Sequence, residues 1–179
     1  MATQTLMTAE QFDQLPEEEG RRWELLDGEL IEVASPIPEH NDTALKLILS
    51  LGSFLTQHKI AWLLYETEFA IAPERRLKPD IAVLSMEAWS HLDRKRIPVI
   101  EIPLIAIEVV SPSNNAYLLQ KKRHAYLDAG VAEVWVIYPE EKEIFVHRKG
   151  QVHLYGPGST LASELLPGWS LITGDLFLS

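Results

Sequence analysis

Cysteine is absent from all 179 residues, which rules out a disulfide framework, a thiolate zinc or iron–sulfur centre and a cysteine nucleophile. Basic residues are scarce: 16 Lys+Arg stand against 26 Asp+Glu, giving a formal net charge of −10. Proteins that grip nucleic acid by counterion release usually show a basic surface, so tight, non-specific duplex binding is disfavoured. Weak binding through local clusters and a divalent metal stays open. Such clusters occur at Arg75-Arg76-Lys78, Arg94-Lys95-Arg96 and Lys121-Lys122-Arg123, where a solvated surface is the simpler reading. No apolar run approaches the length of a membrane span, and Met1-Ala2-Thr3-Gln4 lacks a basic stretch leading into an apolar core. The expectation is a soluble, cytoplasmic protein with no membrane partner. Internal repeats and low-complexity tracts are also missing, so residues 1–179 are read as one domain, with 46% hydrophobic content to fill its core.

What is present alternates strand and helix signals. Thr8 and Gln11 have capping-box spacing ahead of a short helix. Asp27-Gly28, between Trp23–Leu26 and Glu29–Val33, suits the positive φ angles of a type I′ hairpin turn. Apolar positions Ala44, Leu47, Ile48, Leu51, Phe54 and Leu55 predict an amphipathic helix ending near His58. Strand-like runs follow at Ala61–Ala72 and Asp80–Leu84, then a short helix at Met86–Leu92. Leu104–Val110 is apolar nearly throughout, as in a central strand covered on both faces. A helix capped by Asn114 or Asn115 and closed at Gly130 leads to a buried strand at Val131–Ile137, which predicts a parallel strand, helix, strand unit. Short strands near Ile144–His147 and Val152–Tyr155 and a Pro-Gly-rich tail complete an α/β (α+β) fold with a mixed sheet.

Glu108 interrupts the apolar run 104–110 with a carboxylate. Such a group has to be paired, hydrogen-bonded, metal-bound or protonated, because burying it bare costs several kcal/mol. Both a metal or catalytic role and an ion pair with a lysine or arginine satisfy that demand. Asp80 follows Pro79 at the head of another apolar strand, and if the two strands are neighbours both carboxylates can converge on one cation. Two hard oxygens, completed by phosphate and water, suit Mg²⁺ or Mn²⁺. On a helix from Asn115 to Ala129, Leu118, Lys122, Ala125, Tyr126 and Ala129 share a stripe, so Lys122 faces the sheet while Lys121 lies at the margin and Arg123 points away. A lysine so placed needs an anion, unless its stem snorkels to the surface. Accessory candidates are Glu24 and Glu29, on one face of the hairpin, His40 at the head of the long helix, Ser111 just after the Glu108 strand, and Lys121 beside Lys122. Capping or solvation explains Glu24, Glu29 and His40 about as well, and the Ser111-Pro112-Ser113 turn needs no such purpose.

These residues resemble the PD-(D/E)XK nuclease superfamily, specifically its Uma2 (DUF820) branch. The likeness rests on Trp23-Glu24-Leu25-Leu26-Asp27-Gly28-Glu29-Leu30, Lys78-Pro79-Asp80, Ile107-Glu108-Val109-Val110-Ser111-Pro112-Ser113 and the Lys122-to-Tyr126 helix with Ala129-Gly130-Val131. It spans nearly the whole chain. Two positions depart from the pattern: Val110 stands where the superfamily's Glu-x-Lys would put lysine, and Leu118 stands where the branch often has aspartate. The resemblance implies a restriction-endonuclease-like mixed sheet flanked by helices and an Mg²⁺- or Mn²⁺-dependent endonuclease acting on nucleic acid, DNA first among candidates. It implies Asp80 and Glu108 as metal ligands and Lys122 as their catalytic partner. A homodimer is compatible with it. The main rival is a nuclease fold that has lost activity and serves as a protein- or nucleic-acid-binding module, and a second rival is an enzyme for smaller phosphoesters.

Overall fold

The computed structural model describes residues 6–16 and 20–177, so the Met1-Ala2-Thr3-Gln4 segment, which lacks leader character, lies outside the described residues. Thr8 Oγ1 accepts the Gln11 N–H at 3.2 Å and Gln11 Oε1 accepts the Thr8 N–H at 2.9 Å, which starts α1 (Ala9–Phe12). Asp27 and Gly28 take φ of 54° and 80° and turn β1 (Arg22–Leu26) into β2 (Glu29–Val33), with Leu26 opposite Glu29. Proline at the first turn opens α2 (Pro38–His58), whose buried stripe is Thr43, Leu47, Leu51 and Leu55. Lys59, at φ 50°, closes it in the left-handed region.

β3 (Ala61–Tyr65) and β4 (Phe69–Ala72) come from the single run expected at 61–72. The run breaks at Glu66, which has a φ of 47°, and its halves enter different sheets. Both halves are apolar and β-prone, and only the polar Glu66-Thr67-Glu68 between them marks the break. β5 (Arg75–Leu77) joins the hairpin in a four-stranded sheet of order β2-β1-β5-β4. β6 (Ile81–Ser85), α3 (Met86–His91), β7 (Ile105–Val109), α4 (Ala116–Asp128), β8 (Glu133–Tyr138), β9 (Glu143–Arg148) and β10 (Gln151–Tyr155) follow. Their strands, with β3, form a six-stranded sheet of order β10-β9-β8-β7-β6-β3. β7 and β8 are parallel neighbours as anticipated, and β6 runs antiparallel to β7 with Ile81 opposite Ile107.

All five residues of β7 are buried because both sheet faces are covered. One face carries α2 and a cluster including Leu51, Ile107 and Trp135, and the other carries Leu26, Phe69 and Tyr126. The tail is more than a Pro-Gly-rich end. β11 (Thr160–Ala162), β12 (Ser170–Ile172) and α5 (Thr173–Leu176) bring Leu161, Leu166, Trp169 and Leu176 into the α2-side core, where Trp169 stacks on Trp135 at 5.5 Å. No helix among the described residues is long and apolar enough to cross a membrane.

Candidate active site

The antiparallel register of β6 and β7 carries Asp80, one residue ahead of β6, to the end of β7 where Glu108 and Val109 lie. Asp80 Oδ2 accepts the Val109 N–H at 2.7 Å and lies 3.2 Å from His40 Nε2. His40 reaches it from the first turn of α2. Asp80 Oδ1 takes no hydrogen bond from a described residue. Burial works against the charged form of His40, but the hydrogen bond and charge of Asp80 outweigh it and leave its pKa above the ordinary value.

Glu108 is bound from the helix side. The Asn115 side chain accepts from the Tyr117 and Leu118 N–H groups, setting where α4 begins and hence which residues face the sheet. Four residues apart on that helix, Lys122 and Tyr126 both reach Glu108. Lys122 Nζ lies 2.8 Å from Oε1 and 2.9 Å from Oε2, and the Tyr126 hydroxyl donates to Oε1 at 2.8 Å. Lys122 also lies 3.1 Å from Glu24 Oε2, while Glu24 Oε1 accepts the Lys78 N–H at 2.7 Å. Glu24 comes from β1, so one ammonium ties the two main sheets together.

Three carboxylates thus gather near one buried cation. Burial pushes the Glu108 carboxyl up to about 7; Lys122 pulls the other way, and Asp80 and Glu24 add to the rise. Burial also opposes the Lys122 charge, yet Glu108 and Glu24 overcome it and hold its pKa above the usual lysine value. Lys122 is therefore ammonium at neutral pH. The stem does not snorkel to the surface.

Asp80, Glu108, Lys122, Glu24, His40 and Ser111 line one cleft. Glu29 stays outside it and pairs with Lys121 at 2.9 Å, so these two accessory candidates satisfy each other on the margin of α4. Tyr126 is the contact that sequence reasoning passed over: it appears in the helical stripe as a core aromatic, and only its fully buried hydroxyl on Glu108 reveals more. Sequence alone puts Lys78 in a basic cluster and in the Lys78-Pro79-Asp80 motif, but not its N–H on Glu24.

That cluster is not a solvated surface. Arg75 binds Asp27 at 2.6 Å, Arg76 binds Asp13 at 2.9 and 3.1 Å, and Lys78 Nζ lies 3.3 Å from Glu66. Arg94, in the second cluster, lies over the Trp89 ring at 4.2 Å.

The sequence profile of the Uma2 family, described as "Putative restriction endonuclease", matches residues 9–174. The chain belongs to the Uma2 family. A crystal structure described as "a putative nuclease belonging to DUF820" from Anabaena variabilis superposes with a TM-score of 0.81 at 25% sequence identity. The match covers 96% of this chain and 97% of that one. No functionally curated protein matches the sequence. Among the described residues of this Uma2 chain, no three His, Asp or Glu side chains group as a self-sufficient metal cage. Asp80 and Glu108 nevertheless offer hard oxygens, and no described residue engages Asp80 Oδ1. That donor set fits a divalent cation that draws its other ligands from water and substrate, as Mg²⁺ commonly does.

Proposed function

We propose that this chain is a divalent-metal-dependent endonuclease that hydrolyses phosphodiester bonds of nucleic acid, with DNA the first substrate to test. The observation that carries the reading is the Lys122 ammonium, fixed by Glu108 and Glu24 in a cleft that Asp80 also lines, on the fold of a Uma2 protein. Asp80 and Glu108 are the residues to hold Mg²⁺ or Mn²⁺, which when bound supplies Lewis acidity toward phosphate and water. Lys122 acts as a preorganised positive charge for the phosphate as negative charge builds on its oxygens. It does not act as a general base, because Glu108 and Glu24 keep it protonated. Tyr126 orients Glu108; His40 and the Val109 N–H orient Asp80.

The neutralised Arg75-Arg76-Lys78 cluster and Leu118 favour the rival reading, a nuclease fold kept as a binding module. One experiment separates the two. Supercoiled plasmid, single-stranded DNA and RNA are incubated with the protein and Mg²⁺ or Mn²⁺, alongside Asp80→Asn and a chelator control. Cleavage that both controls abolish supports the enzyme; binding without cleavage by the intact protein supports the module.

A further inference from the structure

On another flank of α4 lies a second cavity of about 500 Å³, between the helix and strands β8 and β9. Its wall is aromatic: Tyr138 meets Phe145 edge-on at 5.6 Å, and Phe145 stacks with His147 at 6.2 Å. Leu119 and Val136 add apolar surface. The cation here is Arg123, the next residue after Lys122, and it has no carboxylate partner among the described residues. Its two terminal nitrogens rest on imidazoles, His147 Nδ1 at 3.1 Å and His124 Nε2 at 3.0 Å, and its Nε is buried without a hydrogen bond. Burial and the adjacent Arg123 and His124 bring the His147 pKa down to about 4, so its ring stays neutral at physiological pH. Glu141 and Glu143 complete the rim. A smaller cavity lies between this groove and the cleft: it shares Ser111 and Asn114 with the cleft and Leu119 and Tyr138 with the groove.

We propose that this groove binds one nucleotide with an unpaired base. The ring lies against Tyr138, Phe145 and His147, the phosphate meets Arg123, and Glu141 or Glu143 accepts from an exocyclic amino group. An aromatic wall gives sequence-tolerant affinity to any base, and a guanidinium lacking an acidic partner suits a phosphate. Proximity to the cleft assigns that nucleotide to the strand being cut, which rests on the nuclease reading; a free mononucleotide offers the same chemistry.

The full chain is titrated with deoxyadenosine 5′-monophosphate, with adenosine and with inorganic phosphate, and NMR shifts are followed at Tyr138 and Phe145. A labelled single-stranded oligonucleotide is titrated separately in chelator. The mononucleotide is expected to shift both rings, and Arg123→Gln, shown folded by circular dichroism, to weaken it about tenfold or more while sparing adenosine. Equal weakening of the oligonucleotide places a substrate nucleotide in the groove; weakening of the mononucleotide alone places a free ligand there. Unmoved wild-type rings at millimolar mononucleotide overturn the proposal without recourse to any variant. Because every arm reads binding, loss of the groove and absence of cleavage are separate results.

Discussion

Replacing Lys122 by methionine keeps the stem and deletes the charge that sits 2.8 Å from Glu108 and 3.1 Å from Glu24. Breaking a buried pair by removing one partner typically costs about 3–5 kcal/mol, because the surviving charge is left uncompensated. Here the cost depends on pH, and its sign follows from Glu108. That carboxyl is already raised to about 7 by burial, so the native state holds its proton more firmly than the unfolded chain does. A raised carboxyl contributes no penalty below its unfolded pKa near 4.5; stability falls as pH climbs through the window up to about 7, then levels off. Without the ammonium the folded pKa of Glu108 rises further, and the fall continues past 7. Between pH 7 and 8 the wild type loses only about 0.4 kcal/mol more from this carboxyl, whereas Lys122→Met loses up to about 1.4 kcal/mol. Urea denaturation at pH 6, 7 and 8 reads this directly, and plasmid cleavage at pH 7 is expected to drop about 100-fold or more. If wild type and variant have parallel stability profiles from pH 7 to 8, Lys122 is not what keeps Glu108 ionised. Near-normal cleavage by the folded variant refutes its catalytic assignment.

Lys121→Ala removes only a partly exposed pair with Glu29, so stability should change by at most about 1 kcal/mol. Its effect should be weaker substrate binding that diminishes as salt is raised, measured by fluorescence anisotropy; a dead enzyme with normal binding would shift the active role from Lys122 to Lys121. Tyr126→Phe deletes a hydrogen bond to a charged group and should lower the urea-derived stability by about 1.5–3 kcal/mol, a prediction that an unchanged midpoint contradicts. Cleavage should vanish in excess EDTA and return with Mg²⁺ or Mn²⁺ but barely with Ca²⁺, whose looser shell positions reactants poorly. Full activity in EDTA would remove Asp80 and Glu108 from their proposed role.

The parts of the site that sequence could reveal are those governed by local periodicity or by an energetic anomaly. A carboxylate in the middle of Leu104–Val110 is such an anomaly, and the 100° step of a helix separates Lys122 from Lys121. The Asp27-Gly28 turn fixes the register that puts Glu24 and Glu29 on one face. Which of those two reaches the cleft depends on how the four-stranded sheet packs against α4, and no local pattern encodes that. The Tyr126 hydroxyl was hidden for the same reason, since an aromatic in a buried stripe satisfies the apolar pattern whether or not its oxygen has work to do. Likewise the break at Glu66 is a tertiary decision: Ala61–Tyr65 pairs with β6 and Phe69–Ala72 with β5, although both segments read as strand.

The bridge made by Lys122 also has a kinetic meaning. Its two acidic partners belong to separate sheets, Glu24 on β1 near one end of the chain and Glu108 on β7 well beyond its middle. Such distant segments meet only after the intervening chain has organised, since loop closure over long separations delays their contact. A half-folded molecule holding the six-stranded sheet but not the hairpin would carry Asp80 and Glu108 with Lys122 held by Glu108 alone. The cluster therefore works as an interlock: recovery of cleavage during refolding should lag behind burial of Trp135 and coincide with docking of the hairpin, making activity a reporter of the last assembly step.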